Sequence, residues 1–222
     1  MNEIISNFFN VGVVVQVWPL LMRGLGYTLL LTVVCLPLSV ALALALACIS
    51  DTSSRPLRTV IALIVDFFRA IPPLVLLIFL FYALPLANID IPQFAAAAIA
   101  LVLNNASYFT EIFRSGLAAV PVGQREAARS SGMSWTKTMA LVVAPQGVRN
   151  VLPDAIGNGV ELFKQTAIVS AVSIQELLRA AQIAQGMAFN PSPLIAAALM
   201  YFLIAWPLMR LSSRLEHRAI SR

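Results

Sequence analysis

Runs of apolar residues long enough to cross a bilayer constrain this chain more than any other feature of its sequence. A hydrocarbon layer of about 30 Å takes roughly 20 helical residues. Leu20 to Ile49 meets that length and is read as the first span, with Pro37 expected to kink it. Arg58 to about Leu84 is apolar again, broken by Asp66, Arg69 and Pro72-Pro73. It is long enough for one kinked span and too short for two. Gln93 to Phe113, about Gln146 to Val169, and Ser192 to Met209 supply the third, fourth and fifth. The chain is 59% hydrophobic and only 11% charged, where soluble domains carry about 25% charged residues. The expected class is therefore an all-α integral membrane protein with five transmembrane helices.

Charge placement orients it. The net charge of +5 raises the possibility of a nucleic-acid partner, but lysine and arginine fall in three clusters. These are Arg55 with Arg58, Arg114 through Arg149, and Arg210 through Arg222, each bordering an apolar segment. That is the positive-inside pattern of a membrane protein, not a nucleic-acid surface. Five spans with the N-terminus outside and the C-terminus cytoplasmic place 11 of the 15 basic residues inside. The opposite orientation moves those residues outward. Residues 1–19, with Ile4, Ile5, Phe8, Phe9 and Trp18 among polar residues, read as an N-terminal outer-surface segment. Residues 20–214 form the membrane domain and 215–222 a basic cytoplasmic tail. Ser173 to Gly186 reads as an amphipathic helix on the outer surface. Cys35 and Cys48 lie about 20 Å apart along one helix, too far for a disulfide. The N-terminus shows no basic segment and early cleavage site of a signal peptide.

Enzyme chemistry finds no support in the residues. There is no phosphate-binding Gly-x-x-x-x-Gly-Lys-Ser/Thr motif. His217 is the only histidine, so neither a Cys/His metal cluster nor a nucleophile with a paired histidine can be assembled. The polar residues inside the spans are more informative, because charge there is expensive and faces protein or a water-filled path. In the fourth span Asn150, Asp154, Gly157, Asn158, Glu161, Lys164 and Gln165 share one helical face. Glu161 and Lys164 are spaced to pair with each other, and pairing and pathway lining stay open as readings. In the third span Asn104, Ser107, Tyr108 and Glu111 form a second polar face, with Asn105 beside it. Glu111 with Arg114, and Asp66 with Arg69 before Pro72-Pro73, read as structural pairs. Asn104, Asn105, Asn158 and Glu161 are the substrate-path candidates. Helical rise places Asn158 near mid-membrane, at the depth of Asn104, with Glu161 closer to the outer end.

Between the third and fourth spans lies the longest polar island, Gly123-Gln124-Arg125-Glu126-Ala127-Ala128-Arg129-Ser130-Ser131-Gly132. Helix formers at 124–129, a glycine stop at Gly132 and a new helical run from Ser134 make a helix–turn–helix shape suited to docking. Glu126, Ala127, Ala128, Gly132 and Pro145 stand in the register of the cytoplasmic "EAA" loop of ABC importer permeases, which the island resembles. Val142 and Ala144 depart from that pattern's Ile and Leu, conservatively. Phe68-Arg69-Ala70-Ile71-Pro72-Pro73-Leu74 is similar to the Phe-Arg-Gly-Thr-Pro-Leu-Leu segment of polar amino-acid permeases. Asn105 to Gly116, Pro145-Gln146, Leu152-Pro153 and Lys164-Gln165-Thr166-Ala167-Ile168 also resemble segments of that family. Ala70, Ile71 and Ala167-Ile168 depart from it locally.

The resemblance implies a type I ABC importer permease fold, with the coupling loop at about 120–145. It implies that Gly123, Gln124, Glu126, Ala127, Ala128, Gly132 and Pro145 carry coupling to an ATPase. The implied partners are two ATP-binding subunits, a second permease subunit of the same or a homologous chain, membrane lipid, and a periplasmic or lipid-anchored amino-acid-binding protein. ATP and Mg would sit on the ATPase, with no cofactor on this chain and no nucleic acid. The implied location is the bacterial inner membrane and the implied cargo a polar, slightly favoured basic, L-amino acid. A secondary transporter or channel, and a membrane scaffold, stay open as other classes.

Overall fold

The computed structural model describes residues 8–52 and 54–220, with side chains at 8–51 and 54–216. The readings made of Ile4, Ile5, Ser53, the His217 side chain and residues 221–222 lie outside these. Every regular element among the described residues is helical: α1 (Val11–Thr52), α2 (Arg55–Ala70), α3 (Pro73–Ile78), α4 (Gln93–Ala118), α5 (Val122–Ser130), α6 (Trp135–Thr138), α7 (Ala144–Asn150), α8 (Leu152–Gln165), α9 (Leu177–Ala188) and α10 (Ser192–Ile220). Short π-helical turns at Phe79–Ala83 and Met139–Val143, and 3₁₀ turns at Leu84–Ala87 and Thr166–Val172, extend them. Three helices, over Val11–Asp51, Gln93–Ala118 and Ser192–Glu216, are long and apolar enough to cross a membrane. Two bent pairs, Arg55–Ala70 with Pro73–Ala87 and Leu152–Val172 with Leu177–Ala188, bring the possible total to five.

The chain divides into two compact units. One comprises the chain up to Leu36, Pro73–Leu101 and Val160–Pro207. In it, α9 supplies Leu177 and Ala181 to a core with Leu21 of α1 and with Ala197 and Met200 of α10. Small residues allow this closeness, as between membrane helices generally. A Cβ added at Gly24 would stand 2.6 Å from the Ala180 Cβ and 3.0 Å from the Glu176 carbonyl oxygen. Val160, Phe163 and Ala205 form a second cluster, where the Phe163 and Tyr201 rings lie 5.5 Å apart.

A buried carboxylate fixes the start of α9. Glu176 is 0% exposed, and one of its oxygens accepts from the Arg179 amide at 2.8 Å. The other accepts from the Leu178 amide at 2.9 Å and the Tyr201 hydroxyl at 2.7 Å. The Leu177 amide donates to Thr28 Oγ1 at 3.1 Å. Three of the donors that a helix N-terminus leaves unpaired are thus satisfied by side chains. The sequence reading missed this, because glutamate is not among the usual N-cap residues.

The second unit comprises Pro37–Pro72, Val102–Gly159 and the chain from Leu208. Here α4 and α7 cross at two glycines. A Cβ at Gly116 would stand 2.4 Å from the Gly147 carbonyl oxygen, and one at Gly147 would meet the Leu117 side chain at 2.9 Å. Ser212 Oγ donates to the Pro153 carbonyl at 2.7 Å, tying the end of α10 to α8.

Several boundaries differ from those expected. Residues 11–19 are not a separate surface segment but the first turns of α1, which runs unbroken through Pro19 and Pro37. Asn10 sets that start: its Oδ1 accepts from the Val13 amide at 3.1 Å, the N-cap bond. The expected kink near Pro72 is a full break. Ile71 is extended (φ −87°, ψ 126°), as a residue before proline prefers, and α3 restarts at Pro73. The fourth span is interrupted at Val151 (φ −110°, ψ 14°), because Pro153 has no amide to give the preceding turn. The helix expected over Ser173 to Gly186 begins only at Leu177, since Ser173 adopts the left-handed region (φ 64°). That helix is packed rather than laid on a surface: Leu177, Ala180, Ala181 and Ala184 are buried. The basic tail continues α10 as helix to Ile220 through Pro207, since no glycine or further proline stops it.

Candidate functional site

The polar island folds as its composition predicts. Helix α5 ends in a double-bonded reversal: the Gly132 amide donates to the Arg129 carbonyl at 3.0 Å and the Met133 amide to the Ala128 carbonyl at 3.2 Å. This is the Schellman arrangement, which needs positive φ at its turning residue. Gly132 has φ +82°, a conformation glycine adopts at little cost. Ser134 then caps the next helix, its hydroxyl accepting from the Lys137 amide at 3.3 Å. From Trp135 the backbone stays helical to Asn150 through the π-turn at Met139–Val143, so Pro145 stands in the first turn of α7.

Within its own unit the loop is held by one residue to which the sequence reading gave no role of its own. Arg125 donates to Asp51 at the end of α1 at 2.5 and 3.4 Å, and to the Leu117 carbonyl at 2.9 Å. Charge-assisted bonds of this kind are stronger than neutral ones. They fix α5 to α1 and to the end of α4. Ala128 packs inward, whereas Gly123, Gln124, Glu126, Ala127, Gly132 and Pro145 are exposed. Gln146 Nε2 lies 3.5 Å from Gln124 Oε1, linking the two helices of the loop. Val122 and Leu141, 67% and 66% exposed, add apolar area beside them. A surface with small residues, one carboxylate that forms no ion pair among the described residues, and exposed apolar side chains is equipped to pack against protein.

The polar residues of α4 are drawn toward the end of α2. Asn104 is 1% exposed, and its Nδ2 donates to the Phe68 carbonyl at 2.9 Å and the Ile71 carbonyl at 3.2 Å. Those are the carbonyls that the break in the helix leaves open. No hydrogen bond joins Asn104 to Asn158 among the described residues. Asn105 is also buried. Tyr108 lies beneath the Arg69 guanidinium, 5.4 Å from ring centre to Cζ, a cation–π contact. Arg69 also approaches Asp66 at 3.8 Å, and Arg114 binds Glu111 at 2.7 Å.

On α8 the Lys164 ammonium donates to the Glu161 carboxylate, yet both side chains stay open, at 43% and 55% exposure. A charged residue at a span's centre costs about 2.5–3.5 kcal/mol even on the mildest scale. Charged residues in spans usually face protein or a water-filled path. Asn158 lies one turn before Glu161; its Nδ2 is buried without a hydrogen-bond partner among the described residues, as is the Oδ1 of Asn104. Asn150 belongs to α7, so the polar face expected from Asn150 to Gln165 begins only with Asp154.

Comparison with known proteins accords with this geometry. Residues 39–221 match the family described as "Binding-protein-dependent transport system inner membrane component". The chain is 38% identical over 166 residues to the probable glutamine ABC transporter permease protein GlnP of Bacillus subtilis (strain 168), covering 73% of this chain and 76% of that one. It is 31% identical over 202 residues to the arginine transport system permease protein ArtQ of the same organism, covering 90% and 92%. A solved structure described as an amino acid ABC transporter with histidines contains a chain of the same fold, with TM-score 0.81 and 34% identity. That match covers 92% of this chain and 96% of the other. The loop register, the helical spans and these matches agree: the chain belongs to the family of inner-membrane components of binding-protein-dependent transport systems.

Proposed function

We propose that this chain is the membrane-spanning subunit of an ATP-driven importer that carries a polar L-amino acid across the bacterial inner membrane. The exposed loop around Glu126, locked in shape by Arg125 and Gly132, carries the reading. It presents a rigid docking surface for an ATPase while its anchor on Asp51 leads into α1. Two ATP-binding subunits hold the ATP and Mg. A second permease subunit, the same or homologous, covers the polar face of α8. An external binding protein, periplasmic or lipid-anchored, delivers the amino acid. Family membership sets aside the secondary transporter, the channel and the scaffold.

Orientation follows the basic clusters, with the N-terminus outside and the C-terminus cytoplasmic. A reporter fused after Arg222 is expected to be active in the cytoplasm and one inserted at Asn88, in an exposed turn, in the periplasm. The reverse pattern sinks this topology.

Asn104, Asn105, Asn158 and Glu161 are proposed to line the substrate path. Asparagine offers both the acceptors an ammonium needs and the donors a carboxylate needs. Glu161 adds a preference for a cationic side chain to the extent that Lys164 leaves it available. Glu161→Gln tests this in vesicles containing the complete transporter, with uptake driven by enclosed ATP. Arginine and histidine uptake should fall roughly tenfold, the value of one charged hydrogen bond, while glutamine uptake persists. Equal loss for all three assigns Glu161 to pairing with Lys164 alone. Unchanged uptake removes it from the path. Uptake by the unmodified transporter that needs no ATP overturns the transport reading itself.

A further inference from the structure

Three helices of the second unit meet around a cavity of about 380 Å³, within the roughly 300–1,000 Å³ of small-molecule sites. Asp51 lies in the last turn of α1, Arg58 in the first turn of α2, and Glu111 and Arg114 on α4; all four line the cavity. The small side chains of Ala47 and Ala118 on its wall leave the room. The wall thus carries two negative and two positive charges. Glu111 and Arg114 are each 34% exposed and Asp51 23%, so these charges interact with less screening than in open water. Part of their bonding capacity is spent within the protein. Arg114 binds Glu111 Oε1 at 2.7 Å, and Arg125 binds both oxygens of Asp51. Two groups of opposite sign keep capacity to spare. Arg58 forms no ion pair among the described residues, and of its nitrogens only Nε is engaged, donating to the Ser50 carbonyl at 3.1 Å. Glu111 Oε2 accepts no hydrogen bond among the described residues.

Charge decides what such a wall admits. A simple anion gains from Arg58 but meets the carboxylates of Asp51 and Glu111. A simple cation gains from Glu111 but meets Arg58 and Arg114. Each is repelled by half of the wall. A solute that carries both charges on neighbouring groups is attracted by both halves. An α-amino acid is such a solute: its carboxylate suits the planar fork of a guanidinium, and its ammonium needs acceptors. We propose that this cavity is a second amino-acid site, with the α-carboxylate on the two terminal nitrogens of Arg58 and the α-ammonium on Glu111 Oε2. It is separate from the proposed path, since none of Asn104, Asn105, Asn158 and Glu161 lines it. The basic clusters put this end of α1 on the cytoplasmic side, so the inference rests on the transport reading for its ligand, which is released cargo. A bound amino acid lies beside Asp51, which anchors the coupling loop through Arg125, and accumulated product is thereby brought to the loop.

The test reads occupancy rather than transport. Ser115 stands on the cavity wall, and Ser115→Cys is introduced into a chain that also carries Cys35→Ala and Cys48→Ala. The complete transporter, purified without its external binding protein, is treated with a water-soluble maleimide, and alkylation at position 115 is followed by peptide mass. Glutamine at millimolar concentration should slow that alkylation. N-acetylglutamine, which lacks the ammonium, and glutaminamide, which lacks the carboxylate, should each need about tenfold higher concentration, the value of one charged hydrogen bond. Arg58→Gln and Glu111→Gln should each weaken protection by glutamine by about the same factor. Should either not assemble, the three ligands compared on Ser115→Cys decide. Absence of protection by glutamine, equal protection by either derivative, or undiminished protection in Arg58→Gln overturns the assignment. Asn158→Ala separates this site from the proposed path. Protection should survive that change; its loss means that the amino acid acts from the path, and the cavity is then no site. If uptake proves independent of ATP while protection behaves as expected, the transport reading fails and the site stands.

Discussion

Glu176→Ala lowers the unfolding midpoint of the purified protein by roughly 10 °C, a loss of about 3–5 kcal/mol at the scale expected for a chain of this size. The loss has named parts. The amides of Leu178 and Arg179 lose their only side-chain acceptor, and removing an N-cap costs about 1 kcal/mol or more. The Tyr201 hydroxyl loses the carboxylate to which it donates, and a buried donor left unsatisfied costs about 1–3 kcal/mol. Glu176→Gln separates the two contributions. It retains one acceptor oxygen but turns an amide group toward a backbone donor, so its midpoint should fall between those of the alanine variant and the original. A wild-type midpoint for Glu176→Ala, measured by heating in detergent, would show that the carboxylate does not hold α9.

Gly132→Val reduces coupled transport about tenfold or more while leaving the protein inserted. The residue must reach φ +82°, where a β-branched side chain is strained by about 1–3 kcal/mol. No atom lies within 4 Å of a Cβ built there, so the effect comes from the backbone and not from a clash. The reversal between α5 and α6 then relaxes, and the face carrying Glu126 and Ala127 shifts against the rest of the loop. Amino-acid uptake is expected to drop about tenfold or more on that strain alone, with binding of the ATPase subunits weakened in parallel. Glu126→Gln should reduce the same coupling without moving the backbone. Full substrate-stimulated ATP hydrolysis in either variant would remove that residue from the docking surface.

Helix class and the shape of the polar loop were legible in the sequence because both are local properties. Length and hydropathy mark the apolar runs, and a glycine following helix formers announces a left-handed turn; Gly132 adopts it. The pairing of Glu111 with Arg114, Asp66 with Arg69, and Glu161 with Lys164 was equally readable, since a separation of three residues places both ends on one face. Boundaries were less accessible. Asn10 and Glu176 act as caps whose completion depends on where distant segments arrive: the Asn10 amide donates to the Ser192 hydroxyl oxygen at 2.8 Å, and Glu176 is completed by Tyr201, 25 residues on.

The sequence by itself determined that this is a helical membrane protein with a rigid polar loop between spans, because hydrophobic length, helical period and glycine chemistry need no partner to act. Only the tertiary structure decided what the remaining polar residues do. Arg125, read only as one residue of the polar island, is the strut to Asp51, 74 residues away. Asn104, a path candidate by its polar face and depth, has its amide nitrogen committed to the Phe68 and Ile71 carbonyls at the helix break. A side chain's hydrogen-bonding capacity is written in its type, but which donor meets which acceptor depends on chain segments far apart in sequence, and only folding brings those together.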